Sequence, residues 1–141
     1  MTMLFNRCAR WGAASALVVL SALAGCASLG PQTPEQVVQQ RSQEYWKARL
    51  ANQTAAAYAM TSPSYRNLRS ESQFSGQYPR PATVQSAEVL DVKCSSGERC
   101  SARIRLNVKP MIPGVKLTTM TTHLDEVWLL EEGRWWVYLP L

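Results

Sequence analysis

The 141-residue sequence predicts an α+β fold, with N-terminal helices packed on a curved antiparallel sheet of about four strands. Three observations carry this. Residues 34–50, PEQVVQQRSQEYWKARL, space their apolar side chains at the helical period. Residues 84–94 and 100–108 alternate apolar and polar side chains at the strand period. Short polar breaks, SSGER and EEG, join strand-like segments too closely for anything but hairpins. Helices first and paired strands after make an α+β domain.

The chain opens with MTMLFNRCARW, which carries Arg7 and Arg10 and no acid. GAASALVVLSALAG follows without a charge. A basic opening, a short apolar run and small residues at its end compose a secretory signal. The run is about 14 residues long, short of the roughly 20 that span a bilayer as a helix. Its last residues, Leu23-Ala24-Gly25-Cys26, resemble the lipobox of bacterial lipoproteins. The resemblance implies that the Cys26 thiol takes a diacylglyceryl group and that a peptidase cuts before it. The freed amine is then acylated, with palmitate or a similar chain. Three chains exceed what marginal, reversible membrane binding requires. Ala27 and Ser28 follow where an inner-membrane retention signal would place Asp. The resemblance therefore implies a lipid anchor in the outer membrane, facing the periplasm. The expected organisation is a signal peptide over 1–25, a lipidated tether over 26–33 and one α+β domain over 34–141.

Cleavage before Cys26 leaves 116 of the 141 residues, one domain's worth of chain. Arg7 and Arg10 leave with the leader, so the net charge falls from +5 to +3. No Lys/Arg stripe with interleaved aromatics stands out, so no nucleic-acid partner is expected. Mild attraction to anionic lipid or glycan is compatible with this charge. Of the four cysteines, Cys8 leaves and Cys26 takes lipid. Cys94 and Cys100 remain as a pair in an oxidising compartment, where a disulfide is expected.

In the first helical segment Thr33, Pro34 and Gln36 compose a capping box with Pro at the first position. Val37, Val38, Tyr45, Trp46 and Ala48 share one half of the helix, and Gln36, Gln39, Gln40, Gln43 and Lys47 the other. Asn52 is expected to cap a second helix, QTAAAYAM, and Ser62 with Pro63 to start a third. SESQFSGQYPRPA, broken by Gly76, Pro79 and Pro81, reads as a surface loop over 70–82.

In CSARIRLNV, residues Cys100, Ala102, Ile104, Leu106 and Val108 face one way. In VQSAEVLDVKC, strict alternation puts Val84, Ser86, Glu88, Leu90, Val92 and Cys94 on one face. Cys94 opposite Cys100 then sets Val92 against Ala102 and Leu90 against Ile104. PMIPG makes a second break. KLTTMTTHLDEVWLL is a long strand and RWWVYL its return. Pairing about Glu132 would place Trp128 opposite Trp136, with Gly133 in the left-handed position of a three-residue loop. Trp135 and Trp136 point to opposite faces, so one is expected on the outer sheet face, as a protein contact or dimer surface.

Two segments carry a second resemblance: EYWKARLANQTAAAYAMTSPSYRN at 44–67 and LDEVWLLEEGRWWVYL at 124–139. They resemble the nuclear transport factor 2-like superfamily, which includes ketosteroid isomerase and polyketide cyclases. That resemblance implies a cone-shaped domain whose sheet wraps around helices and leaves a pocket. Asn52-Gln53 stands where many relatives have Gly-Asp. Members include isomerases, cyclases, carriers and scaffolds, so fold alone assigns no activity.

Two acids lie on faces expected to point inward: Glu88 with Leu90 and Val92, and Glu126 with Trp128 and Leu130. Arg41 lies inside the apolar arc of the first helix, and a buried cation needs a partner. Arg41 or Arg66 is therefore expected to pair with Glu126 or Glu88. Such a pair ties helix to sheet; the functional alternatives are an anionic-ligand site on Arg41 and acid–base work by an inward carboxylate. His123 and Asp125 share the opposite strand face, a solvated or interface position that resembles a catalytic pair only loosely. The sequence has no phosphate loop, no G-x-S-x-G elbow and no set of metal ligands, so no catalytic residue, metal or cofactor is assigned. The expected role is a membrane-anchored, non-catalytic binding or scaffold module of the envelope, with an envelope protein or a second copy as partner. The alternative is a small-ligand-binding protein or enzyme using an inward carboxylate in the pocket.

Overall fold

A computed structural model describes residues 31–78, 83–109 and 118–141. The leader, Cys26 and most of the tether lie outside the described residues, as do Pro79–Ala82 and the PMIPG break. Among the described residues no helix is long and apolar enough to cross a membrane.

Helix α1, Pro34–Leu50, starts at the expected capping box: Thr33 accepts from the Gln36 N–H and Gln36 bonds back to Thr33. It buries Val38, Ser42, Tyr45, Trp46 and Ala48. Asn52 does not cap the next helix. It takes a φ of 59°, a left-handed turn that Asn tolerates, and Gln53 holds the N-cap position of α2, Thr54–Tyr58, without a side-chain bond. Helix α3, Pro63–Leu68, begins as expected at Ser62, whose hydroxyl accepts from the Tyr65 N–H. The expected loop over 70–82 is corrected in its described part: α4 spans Glu71–Gln77. Ser70 and Gln73 form a capping box there, and Phe74, 1% exposed, anchors the helix between Tyr58 and Tyr78.

Four antiparallel strands follow, β1 Val84–Ser96, β2 Arg99–Val108, β3 Met120–Glu131 and β4 Arg134–Val137, in the order β1-β2-β3-β4. β2 alternates as its sequence requires, with Cys100, Ala102, Ile104 and Leu106 buried. Cys94 lies opposite Cys100 and Val92 opposite Ala102, and the Cys94 and Cys100 sulfurs stand at disulfide distance. Beyond Val92 strict alternation fails. The register shifts between Val89 and Asp91, so Val89, not Leu90, faces Ile104. The extra residue is Leu90, a bulge left at 39% exposure, and such bulges bend and twist a strand. A second shift follows Val84. Glu88 is therefore turned outward, where it pairs with Arg105 across the ladder.

The β3–β4 hairpin also departs from expectation. Glu131 faces Arg134 and Trp128 faces Val137, so Trp136 lies opposite Leu129. The loop is the two-residue Glu132-Gly133, both at positive φ, 54° and 73°, as a twisted hairpin favours. Trp128, Leu130, Trp135 and Val137 consequently share the inner face. α1 packs against β1, β2 and β4, and the core fills the space between them.

Candidate functional site

Glu126 occupies the inner face of β3 opposite Ala102. Ala102 is fully buried and small, which leaves room for the carboxyl beneath α1. Glu126 is 8% exposed. Ser42, fully buried on α1, donates to its Oε2 at 2.8 Å. Val38, Ser42 and Tyr45 stand on one face of α1 by the spacing i, i+4, i+7. A small polar residue in that apolar row is the sequence signal for this donor, and periodicity alone passes over it.

Burial pushes the Glu126 carboxyl up to about 7, because charge is disfavoured away from water. The Ser42 hydroxyl, the indole N–H groups of Trp46 and Trp128 and the Arg49 charge pull in the other direction. Neither indole N–H reaches hydrogen-bond geometry with any acceptor. Tyr45 stacks edge-on against Trp46 and Trp128 at centroid distances of 6.1 and 6.4 Å. Burial raises its phenol to about 12, while Arg49 opposes the shift and donates to the phenol oxygen at 2.8 Å.

A pocket of about 410 Å³ opens beside this carboxyl. Tyr45, Trp46, Leu124 and Leu139 contribute apolar wall, and Glu126 and Arg49 polar groups. The volume suits a small organic ligand. Such a site can bury an apolar body and offer one titratable oxygen pair to a hydrogen-bonding or cationic group.

The expected pairing of Arg41 or Arg66 with Glu126 or Glu88 does not form. Glu88 is on the surface with Arg105, a consequence of the Leu90 bulge. Arg41 places its guanidinium 6.0 Å from the Trp128 ring and 5.3 Å from the Trp136 ring. Arg66 lies 4.8 Å from Trp136 and donates to the carbonyls of Ala59 and Thr61. Aromatic faces and carbonyls thus take the place of carboxylates. Trp136 is 7% exposed, so the aromatic expected at an open face is covered. His123 and Asp125 are exposed on β3, with Asp125 3.9 Å from Arg103. Among the described residues no group of three or more His, Cys, Asp or Glu is placed to hold a metal ion.

No protein-family model matches the chain, and no curated protein sequence is similar to it. Solved structures do share its fold. A SEC-C motif-containing protein from Rhodopseudomonas palustris superposes at a TM-score of 0.50 and 15% identity, over 74% of each chain. A SEC-C motif-containing protein from Psychrobacter arcticus superposes at 0.57 and 11% identity, over 79% of this chain and 63% of its own length. At such identities the likeness is one of fold.

Proposed function

We propose that this chain is a lipoprotein of a bacterial envelope, anchored through lipid on Cys26 in the outer membrane and facing the periplasm. Its domain, of the nuclear transport factor 2-like kind, works as a binding module that takes a small, largely apolar ligand. The observation that supports the binding role is the Glu126 pocket, with aromatic and aliphatic walls around one buried carboxyl. The leader sequence and lipobox support the location, and the Cys94–Cys100 pair suits an oxidising compartment.

Native mass spectrometry of the full-length protein, extracted gently from membranes, tests the binding role. A reproducible added mass that is displaced by filling the pocket with a Leu124→Trp substitution supports it. A bare protein that also fails to retain any member of a small apolar ligand library overturns it. Cys26→Ser should abolish palmitate labelling and release from the leader. If it leaves both unchanged, the anchor is refuted. A second reading, acid–base chemistry by Glu126, draws on the pKa near 7, where a general acid or base is most effective. Glu126→Gln separates the two: a binding module keeps its ligand, whereas an enzyme accumulates unconverted substrate.

A further inference from the structure

Three guanidinium groups converge on one indole. Arg41 from α1, Arg66 from α3 and Arg134 from β4 stand 5.3, 4.8 and 5.1 Å from the Trp136 ring centre. Any two of them therefore lie within about 10 Å of each other, inside one Debye length at moderate salt.

Among the described residues no carboxylate forms an ion pair with them. The ion pairs among the described residues are Asp91–Lys93, Arg103–Asp125 and Glu88–Arg105, and none involves this cluster. Glu44, whose charge acts on Arg41, and Glu131, opposite Arg134 across the hairpin, each accept from a neutral donor instead. Glu44 accepts from Gln40 Nε2 at 2.9 Å. Glu131 accepts from both the N–H and the hydroxyl of Ser64. Arg41 Nε is buried and has no acceptor. Its pKa is lowered first by burial and then by the Arg134 charge, which outweighs Glu44. Stacking on an indole offsets part of the cost of gathering like charges, but it supplies no acceptor for the guanidinium N–H groups.

We propose that Arg41, Arg66 and Arg134, set around Trp136, form a binding site for a phosphate ester. A phosphate presents several oxygens to planar forks at once and carries up to two negative charges; a lone carboxylate satisfies one fork. The site is separate from the Glu126 pocket, whose lining includes none of these four residues. Trp136 is held ready for it, since its Nε1–H donates to the Glu131 carbonyl at 2.9 Å.

The test is a proton–nitrogen NMR titration of the full-length chain in dodecyl maltoside micelles. Inorganic phosphate is the first probe, against sodium chloride at equal ionic strength. The Trp136 indole and Arg41 Nε–H signals should shift and saturate with phosphate and not with chloride. Arg134→Gln, at an exposed position, should weaken binding about tenfold with the remaining spectrum unchanged; Arg41→Gln should do the same. Arg103→Gln, on the exposed face of β2, should bind as the parent does. Micelles doped with phosphatidylglycerol or phosphatidylcholine form the second arm. Saturation by inorganic phosphate supports a soluble phosphate ester, and a response to phosphatidylglycerol micelles alone supports a lipid headgroup as its source. The proposal is overturned if neither probe saturates, or if Arg103→Gln weakens binding as much as Arg134→Gln.

Discussion

The Ser42 hydroxyl on α1 donates a 2.8 Å hydrogen bond to Glu126 Oε2 on β3, 84 positions further along the chain. This contact links the helix to the sheet at the floor of the pocket. It also favours the charged form of Glu126. Ser42→Ala should therefore raise the carboxyl further above about 7. It should cost roughly 1–2 kcal/mol at pH 8, where an ionised carboxylate loses its donor, and less at pH 5. Carbon-detected titration of the Glu126 carboxyl checks this, and an unmoved titration curve would show that the two groups are uncoupled.

Glu126 also sets an expected pH dependence of stability. Its pKa rises on folding from 4.5 to about 7, so the folded chain binds a proton that the unfolded chain gives up. Below 4.5 both states are protonated and the group contributes no pH dependence. Between 4.5 and about 7 stability falls as pH rises, and above 7 the full cost of the buried charge remains. By linkage that cost is on the order of 3 kcal/mol. Urea unfolding at pH 5 and pH 8 should show the loss in the parent and a much smaller one in Glu126→Gln. Equal pH dependence in both would remove Glu126 as the cause.

These relations mark where sequence reading reaches its limit. α1 was legible because its cap, its Pro and its apolar spacing all agree. β2 was legible because one clean alternation permits one orientation. β1 was not, because AEVLDV alternates acceptably in either phase and nothing local marks Leu90 as the bulge. That single extra residue sends Glu88 to the surface. The β3–β4 turn fails for a similar reason: EEG fits a two- or a three-residue loop, and the choice exchanges Trp135 and Trp136 between faces. The burial of Glu126 was legible from its face. Its partner was not, since charge counting points to Arg where the fold supplies the Ser42 hydroxyl.

Helix α4 shows what a glycine conceals. Gly76 and the nearby prolines make 70–82 read as loop, yet Ser70, Gln73 and Phe74 hold a helix. Phe74→Ala should destabilise the domain by about 3–5 kcal/mol through the cavity left between Tyr58 and Tyr78. A Cβ at Gly76 meets nothing within 4 Å, so Gly76→Ala should stabilise by about 0.5–1 kcal/mol through helix propensity. Thermal denaturation of both variants decides the point: a neutral Phe74→Ala would mean that 71–77 does not dock as a helix.

The register across the Glu132-Gly133 turn, with Leu130 opposite Trp135, decides which tryptophan faces the core. Both residues sit at positive φ, 54° and 73°, a pair of conformations that Asn-Gly adopts with less strain than Glu-Gly. Glu132→Asn should therefore stabilise the hairpin by about 0.5–1 kcal/mol, and Gly133→Ala should destabilise it by about 1–2 kcal/mol. An inserted glycine after Gly133 makes a sharper test of register. A three-residue loop relieves the need for two positive φ angles, but the surrounding contacts resist any slip. Leu130 is paired with Trp135 and Trp128 with Val137, and the Trp136 N–H is fixed on the Glu131 carbonyl. The insertion should leave these pairs intact and lower stability only by the cost of a longer loop, about 0.5 kcal/mol. Cross-strand nuclear Overhauser contacts between Leu130 and Trp135 report the outcome. If they vanish and Trp128–Trp136 contacts replace them, the loop sets the register; if they persist, the packing of Trp135 does.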